Sequence, residues 1–290
     1  MSRTKFLERF APALFVFLWS TGFIGSKYGL AYAEPYTLLF MRVVLTLVVL
    51  GFLLKYFRPV MPTNWAQRGH LMLSGLLLHG LYLGGVFSAI EGGMSAGLTA
   101  LLVGLQPVLT TLLAPWWLRE RVSAGHWLGV LLGAVGIYIV LGAGGAFEHG
   151  GTHALIAAAI ALLGITTGTL YQKRYCANHD FLTIAFFQYL PTVLLFALGS
   201  LFFETRSVSW TAQFILALLW LTFALSIGAI LLLSYLIKHG EASKVTSLFY
   251  LVPPVTAIEA YLLFQEPLSG VKIAGMGLVA CSVYLVMQRR

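Results

Sequence analysis

One stretch of the chain occurs twice: residues 102–140 read LVGLQPVLTTLLAPWWLRERVSAGHWLGVLLGAVGIYIV, and residues 248–286 read LFYLVPPVTAIEAYLLFQEPLSGVKIAGMGLVACSVYLV. Aligned without a gap, at a shift of 146 residues, the two stretches share 12 identical residues in 39 positions. Chance identity in so biased a composition is roughly one position in ten, so the match indicates an internal repeat.

The sequence around this repeat is that of a membrane protein. Apolar residues make up 59% of the 290 residues and charged residues 10%, whereas a soluble domain carries about 25% charged residues. Apolar stretches of about 20 residues are typical of membrane-spanning helices. We predict ten spans, which are Pro12–Leu30, Tyr36–Phe57, His70–Ile90, Met94–Ala114, Gly125–Leu141, His153–Gln172, Leu182–Phe203, Thr211–Lys238, Ser243–Phe264 and Val271–Met287.

The basic residues predict the orientation of these spans. Alternate connecting segments contain 14 of the 18 Lys and Arg residues, and the opposite segments contain Lys27, Arg206 and Lys272. The positive-inside rule then predicts that both termini are cytoplasmic, in the cytoplasmic (inner) membrane. The net charge of +8 follows from this bias and does not indicate nucleic-acid binding. Cys176 lies at a predicted helix end and Cys281 inside the last span, so we expect no disulfide.

The shift of 146 residues predicts two halves of five helices, residues 1–145 and 146–290, in an all-α fold. Because five is odd, the second half enters the membrane in the opposite orientation. Inverted repeats are characteristic of secondary transporters, whose substrate sites lie near the midplane between the halves. The sequence therefore predicts a carrier.

Several short motifs resemble one transporter family in order and spacing. They are Phe17-Leu-Trp-Ser-Thr-Gly-Phe23, Phe40-Met-Arg42, Leu105-Gln-Pro-Val-Leu-Thr110, Leu118-Arg-Glu-Arg-Val122 and Tyr250-Leu-Val-Pro-Pro-Val255. Over nearly its whole length the chain resembles the EamA-type ten-helix exporters of the drug/metabolite transporter superfamily. The resemblance implies two inverted halves around a central cavity, alternating access, and export of amino acids or other small metabolites.

Four residues in the first and third spans are candidates for contact with substrate or for gating. His79 lies in the middle of its span with Tyr82 three residues further, a spacing that in an α-helix puts both on one face. The pair suits a polar or aromatic ligand or a proton relay; the alternative is a neutral His bonded to a neighbouring helix. Trp19 and Ser20 lie midway along the first span, where a cavity wall and helix packing are both open interpretations.

Proline residues interrupt the fourth and ninth spans at equivalent places. Pro107 aligns with Pro253 of the Pro253-Pro254 pair, and such breaks indicate a binding site or a gate. Gln106 either satisfies the backbone that Pro107 frees or contacts substrate. Tyr235 and Tyr250 are further candidates for an aromatic lining.

Arg42 and Glu259 are, with His79, the clear cases of ionisable residues inside predicted spans, where charge is expensive and usually functional or paired. Arg42 lies within two turns of the external helix end, so we expect it to snorkel outward or to pair with Glu34, in a structural role. Glu259 lies near the external end of the ninth span. It either snorkels or is a protonatable coupling group.

Other kinds of function have less support in the sequence. No metal spacing, P-loop or nucleotide fingerprint is present, so we expect no metal, no cofactor, no catalytic residues and no ATPase subunit. A membrane enzyme would need a nucleophile and base, and a channel would need rings of charge. We expect a monomer in the bilayer that transports neutral or zwitterionic metabolites, with amino acids first, aromatic or apolar ones favoured, and cationic aromatic drugs as the alternative.

Overall fold

A computed structural model describes residues 3–119, 122–142, 151–239, 245, 248–265 and 269–287. These residues form α-helices joined by short turns, with two π-helical segments and one 3₁₀ turn. The α-helices are α1 (Arg3–Leu30), α2 (Pro35–Phe57), α3 (Trp65–Gly75), α4 (Tyr82–Glu91), α5 (Ala96–Val103), α6 (Gln106–Trp117), α7 (Ala124–Gly142), α8 (Thr152–Tyr175), α9 (Phe181–Phe203), α10 (Ala212–Trp220), α11 (Ile230–His239), α12 (Val252–Phe264) and α13 (Gly270–Met287). The π-helical segments are Leu76–Leu81 and Leu221–Ala229, and the 3₁₀ turn is Leu248–Leu251.

Seven helical stretches within these residues are long and apolar enough to cross a membrane. They are Phe10–Leu30, Pro35–Phe57, Trp65–Glu91, Ala96–Trp117, Thr152–Tyr175, Phe181–Phe203 and Ala212–His239. Ala124–Gly136 and Leu248–Phe264 are shorter apolar helices. The fold is therefore an all-helical membrane bundle, and the full number of ten spans stays a prediction.

Side chains at the helix starts explain where two central helices begin. α2 starts at Pro35, and the Glu204 carboxylate accepts hydrogen bonds from the backbone N–H groups of Tyr36 (2.6 Å) and Thr37 (2.7 Å). The first N–H groups of a helix have no partner within the helix, so this acceptor stabilises the start of α2. Asp180 caps α9 in the same way by accepting from Leu182 N.

The helices of the two halves pack against their own counterparts. α2 packs along α9, which lies 146 residues later, and α7 packs along α13. At the second contact a Cβ on Gly136 would come within 2.7 Å of the Gly275 carbonyl oxygen, so the missing side chain permits the close approach.

The predicted proline interruptions are real breaks in the helices. Gly104 and Leu105 separate α5 from α6, and the 3₁₀ turn precedes α12. The two breaks touch, because a Cβ on Gly104 would lie 2.8 Å from Pro253 Cγ. The halves therefore meet where both helices are interrupted.

Two further sequence predictions concern the boundary between the halves and the two cysteines. The boundary between the halves, at residues 145 and 146, lies outside the described residues, as do the residues 143–150 around it. Cys176 and Cys281 are free thiols. Burial raises the pKa of the Cys176 thiol to about 11.

Candidate functional site

A small cavity lies at the centre of the bundle, between the two halves. Its volume is about 30 Å³, room for one or two water molecules, whereas sites for drug-sized ligands measure about 300–1,000 Å³. Trp19 on α1, Arg42 on α2 and Tyr82 on α4 line it from the first half, and Leu225 and Ile230 line it from the second half. The centre is thus closed in this structure.

Arg42 brings a positive charge to this cavity. Its side chain is only 3% exposed, and its Nε donates a 2.7 Å hydrogen bond to Ser226 Oγ in the second π-helical segment. Glu34 instead accepts from Thr205 Oγ1 and Arg206 N, both at 2.9 Å. The expectation that Arg42 snorkels outward or pairs with Glu34 is wrong, because the side chain turns toward the centre of the bundle. No carboxylate among the described residues forms an ion pair with it.

Trp19 and Tyr82 form one aromatic wall of the cavity. Their rings are stacked with centroids 5.9 Å apart, and Trp19 Nε1 donates a 2.9 Å hydrogen bond to Tyr82 OH. Both side chains are buried. The hydrogen bond pairs the Trp19 N–H with the Tyr82 oxygen, and both rings lie against the cavity.

His79 lies against a different neighbour. Its ring stacks on Tyr189 of α9, with centroids 4.1 Å apart and an angle of 9° between the planes. His79 is absent from the cavity lining that includes Tyr82, so the prediction that both share one cavity face is wrong. The reason is that His79 belongs to the π-helical segment Leu76–Leu81, whose hydrogen bonding differs from the α-helical spacing behind the prediction.

Polar contacts continue from His79 toward the end of the bundle where α8 ends and α9 begins. Gln188 lies beside His79, and its Nε2 donates to Ser74 Oγ (3.0 Å) and Gln172 Oε1 (2.9 Å). Gln172 Nε2 in turn donates to Ser234 Oγ at 3.2 Å. Both nitrogens of His79 and the Oε1 of Gln188 lack a hydrogen-bond partner within the described part of the chain. A buried polar row therefore leads away from the cavity and retains unused hydrogen-bonding capacity.

Three other predicted site residues make structural contacts in this closed arrangement. Gln106 neither repairs its own backbone nor lines the cavity; its Nε2 donates to Thr169 Oγ1 of α8 at 3.2 Å. Tyr235 packs on the rings of Phe181 and His239 near the end of α11.

Tyr250 is fully buried, and its OH donates to the Val130 carbonyl oxygen at 3.1 Å. Of the three predicted prolines, Pro253 and Pro254 occupy the first turn of α12, and Pro107 is the second residue of α6. Proline fits there because the first N–H groups of a helix lack acceptors anyway.

A pair of threonines near these breaks was missed by the sequence predictions. Thr110 on α6 and Thr256 on α12 are buried, and neither Oγ1 has a hydrogen-bond partner in the described ranges. They are equivalent positions, 146 residues apart, and identical residues in the repeat. Restricting the search to polar identities in the repeat would have found them. Gln188 could also have been found, because it is the counterpart of Arg42 at the same shift.

Ser20 faces away from the cavity and joins α1 to α12. Its Oγ lies 2.7 Å from Glu259 Oε1, and Glu259 Oε2 is buried without a described partner. Ser20 is at the middle of the apolar stretch Phe10–Leu30. Glu259 therefore lies level with the middle of α1, while in its own helix it is five residues from the end of α12 at Phe264, as the sequence predicted.

Two larger cavities are lined by residues other than the site residues described above. One, of about 430 Å³, is a groove between the first π-helical segment, α4, α8 and α9, with Gly84 and Phe196 in its wall. The other, of about 350 Å³, lies at the ends of α6 and α8 beside Arg119, Lys173 and Arg174. No group of three or more His, Cys, Asp or Glu side chains that could hold a metal occurs among the described residues.

Comparison with known proteins identifies the class of this helical bundle. The model of the EamA-like transporter family matches residues 10–142 and again residues 152–288. The chain belongs to the EamA-like transporter family. It contains two copies of the family unit, and it is a transporter by family.

Two relatives of similar length are named as a transporter and as an efflux pump. The transporter YvbV of Bacillus subtilis is 27% identical over 281 residues, covering 94% of this chain and 89% of that protein. A protein of Salmonella typhimurium named as a probable amino-acid metabolite efflux pump is 26% identical over 292 residues, covering 96% of this chain and 94% of that protein. The similarity extends over most of each chain.

The fold also matches a solved structure. A crystal structure superposes with a TM-score of 0.76 at 22% identity, covering 96% of this chain and 95% of that chain. This likeness shows the fold. The predicted family is confirmed by the family match, and the chain is a multi-pass membrane transporter.

Proposed function

We propose that this protein is a secondary transporter of the cytoplasmic membrane that exports amino acids and similar small zwitterionic metabolites. The observation that carries the proposal is Arg42, a buried cation with no described carboxylate partner, beside an aromatic wall in the cavity between the halves. A buried charge is costly unless it is compensated. A substrate carboxylate would compensate it through charge-assisted hydrogen bonds.

The rest of the cavity suits the remainder of an amino acid. The faces of Trp19 and Tyr82 attract an ammonium group by cation–π interaction and an aromatic or apolar side chain by packing. Phosphorylated substrates need several cations, whereas Arg42 is the only cationic side chain among the described residues that line the cavity. The names of the efflux-pump relatives support the same substrate class.

Alternating access is the mechanism that we propose. The volume of about 30 Å³ holds no amino acid, so the two halves must separate on one side and then on the other to load and release substrate. Packing of α2 on α9 and of α7 on α13 supports a two-fold relation between inverted halves of five spans each. The buried row from His79 to Ser234 is the part of the route that opens toward the cytoplasm.

Orientation and assembly complete the proposal. The distribution of Lys and Arg supports cytoplasmic termini. Residues of both halves of the chain line the cavity, which supports a protein that works as a monomer in the bilayer. We propose that it has no ATPase subunit and no cofactor.

Counterflow into liposomes tests the proposal. Purified protein is reconstituted with unlabelled candidate substrate inside, and uptake of labelled aromatic amino acid, its decarboxylated amine, a sugar phosphate and a quaternary ammonium dye is compared. We expect saturable counterflow with the amino acid and much weaker counterflow with the amine. Transport confined to phosphates would overturn the substrate class, preference for the dye would favour export of cationic drugs, and ohmic current would indicate a channel.

A further inference from the structure

The interface between α1 and α12 contains a carboxyl group whose contacts depend on a proton. Glu259 Oε1 lies 2.7 Å from Ser20 Oγ, and Glu259 Oε2 is buried without a hydrogen-bond partner among the described residues. The contact lies at the middle of the apolar part of α1. It joins one helix of the first half to one helix of the second half.

The number of hydrogens at this contact shows how the hydrogen bonds of Ser20 depend on the protonation state of Glu259. Ser20 Oγ also lies 2.8 Å from the Phe17 carbonyl oxygen, and a serine hydroxyl has a single proton to donate. A carbonyl and a carboxylate both only accept. With Glu259 ionised, Ser20 must donate to Glu259 Oε1 or to the Phe17 carbonyl, or share its one proton between them. With Glu259 protonated, the acid donates to Ser20 Oγ while Ser20 donates to Phe17, and both contacts are full hydrogen bonds.

Among the described residues of the neighbouring helices, Ser20 is the hydrogen-bond partner of Glu259. α1 contributes Lys27 and Tyr28 two turns further along, where the Lys27 ammonium lies 4.2 Å from the centre of the Phe264 ring and the Tyr28 ring 4.9 Å from it. α5 has no titratable side chain. The 3₁₀ turn contributes Tyr250, whose OH donates to a backbone carbonyl of α7. Within the described ranges, none of these groups is bonded to Glu259.

On α12 itself, no other described side chain is bonded to the Glu259 carboxyl. Tyr261, two residues after Glu259, is exposed. The position equivalent to Glu259 in the first half is Leu113. An ionised carboxylate in apolar surroundings is unfavourable without a paired charge or full hydrogen bonding. The carboxyl therefore occurs in only one of the two halves. Its hydrogen bonds change when it gains or loses a proton.

We propose that Glu259 is the proton-binding site that couples export to the inward proton gradient, an inference that rests on the proposed alternating-access function. The carboxylate takes one proton from external water, and the resulting acid donates to Ser20 and holds α1 against α12. When this interface opens toward the cytoplasm, the O–H bond breaks and the proton passes to cytoplasmic water. One proton thus moves inward as substrate moves outward, and no other bond changes.

Transport by Glu259→Gln tests the coupling. The variant is reconstituted in liposomes, and amino-acid transport is measured with an imposed pH gradient and, separately, as exchange without one. Because Gln cannot release a proton, we expect stimulation by the gradient to be lost completely while exchange is retained. The control is Glu91→Gln, the same change at an exposed carboxyl at the end of α4, which should keep both activities.

Infrared spectroscopy provides a readout that does not depend on transport. In pH-difference spectra, the carbonyl band of a protonated carboxylic acid should titrate in the wild type and be missing in Glu259→Gln. Ser20→Ala should shift this band to higher frequency, because it removes the acceptor of the acid's hydrogen bond. If no band is lost in Glu259→Gln, the proton site is wrong.

The transport outcomes separate this inference from the proposed function. Persistent gradient stimulation in Glu259→Gln overturns the coupling role, and so does a wild type that exchanges amino acids but never responds to a pH gradient. In both cases the proposed carrier function stands. Absence of any exchange by the wild type counts against the carrier function, and the infrared titration then still decides whether Glu259 binds the proton.

Discussion

α2 occupies residues 35–57 and α9 occupies residues 181–203, so both ends of the second helix follow those of the first by 146 residues. At this shift the π-helical segment Leu76–Leu81 falls inside the segment Leu221–Ala229, and the starts of α6 and α12 coincide. The side chains at the centre do not coincide. Arg42, His79 and Glu259 have Gln188, Leu225 and Leu113 as their counterparts.

This difference separates the scaffold from the site. Packing and helix geometry recur in both halves because each half must span the same bilayer and present the same faces to its partner. A substrate with one carboxylate and one ammonium group is not symmetric, so its recognition requires different side chains from the two halves. Substitutions that make the halves alike at one position therefore test which differences matter for transport.

The largest effect is expected for Arg42→Gln, which gives α2 the residue found at its counterpart Gln188. Loss of one partner from a buried charged pair costs about 2–5 kcal/mol, which corresponds to at least roughly a 30-fold loss of affinity for amino acids. The decarboxylated amine should be affected much less, because it lacks the carboxylate. Substrate binding to purified protein measures this.

Two variants control for charge and for location in the Arg42 experiment. Arg42→Lys retains the charge and should retain part of the affinity, and Lys55→Gln removes an exposed charge from the same helix and should have no effect. Equal losses for amino acid and amine would mean that Arg42 only holds α2 to the second half through Ser226.

An intermediate effect is expected for His79→Leu, which copies the counterpart Leu225. Removing the ring stacked on Tyr189 and its nitrogen atoms should cost about 1–2 kcal/mol, roughly a tenfold fall in the initial transport rate. His79→Gln keeps a donor and an acceptor and should retain more transport than His79→Leu or His79→Ala. Rates are compared at matched membrane expression, with and without a pH gradient.

The His79 series also separates a hydrogen-bonding role from proton transfer. If Gln fails as badly as Ala under a gradient while exchange survives, His79 carries a proton, and the coupling assigned to Glu259 must be shared. Wild-type rates in all three variants would reduce His79 to packing against Tyr189.

The smallest effect is expected for Tyr82→Phe, which tests the aromatic wall in the first half. The substitution keeps the ring and removes the acceptor of the 2.9 Å hydrogen bond from Trp19 Nε1, at a cost of about 0.5–1 kcal/mol. A two- to fivefold change in substrate affinity is therefore expected, by roughly 1.4 kcal/mol per tenfold. Tyr261→Phe, at an exposed tyrosine, is the matched control and should bind like the wild type. An unchanged affinity in Tyr82→Phe would show that the hydrogen bond does not shape the cavity wall.

Local patterns were sufficient for the class of protein. Apolar stretches predicted helices such as Tyr36–Phe57, which differs by one residue from α2, and the repeat predicted that Pro107 and Pro253 lie at equivalent breaks. The motifs from Phe17 to Val255 identified the family that the comparison confirmed. These features depend on composition and spacing along one chain segment, so a sequence contains them in full.

Contacts between distant segments were decided by tertiary packing. Whether Arg42 points to the surface or to Ser226 depends on the rotation of α2 against the second half, and that rotation is set by packing against α9. The separation of His79 from the cavity wall depends on a π-helical segment, which the spacing of apolar residues does not reveal. Glu259 meets Ser20 across 239 positions of sequence. The sequence by itself therefore determined the helices, the repeat and the family, because these follow from local pattern, whereas only the tertiary structure decided which charged and polar groups share a site.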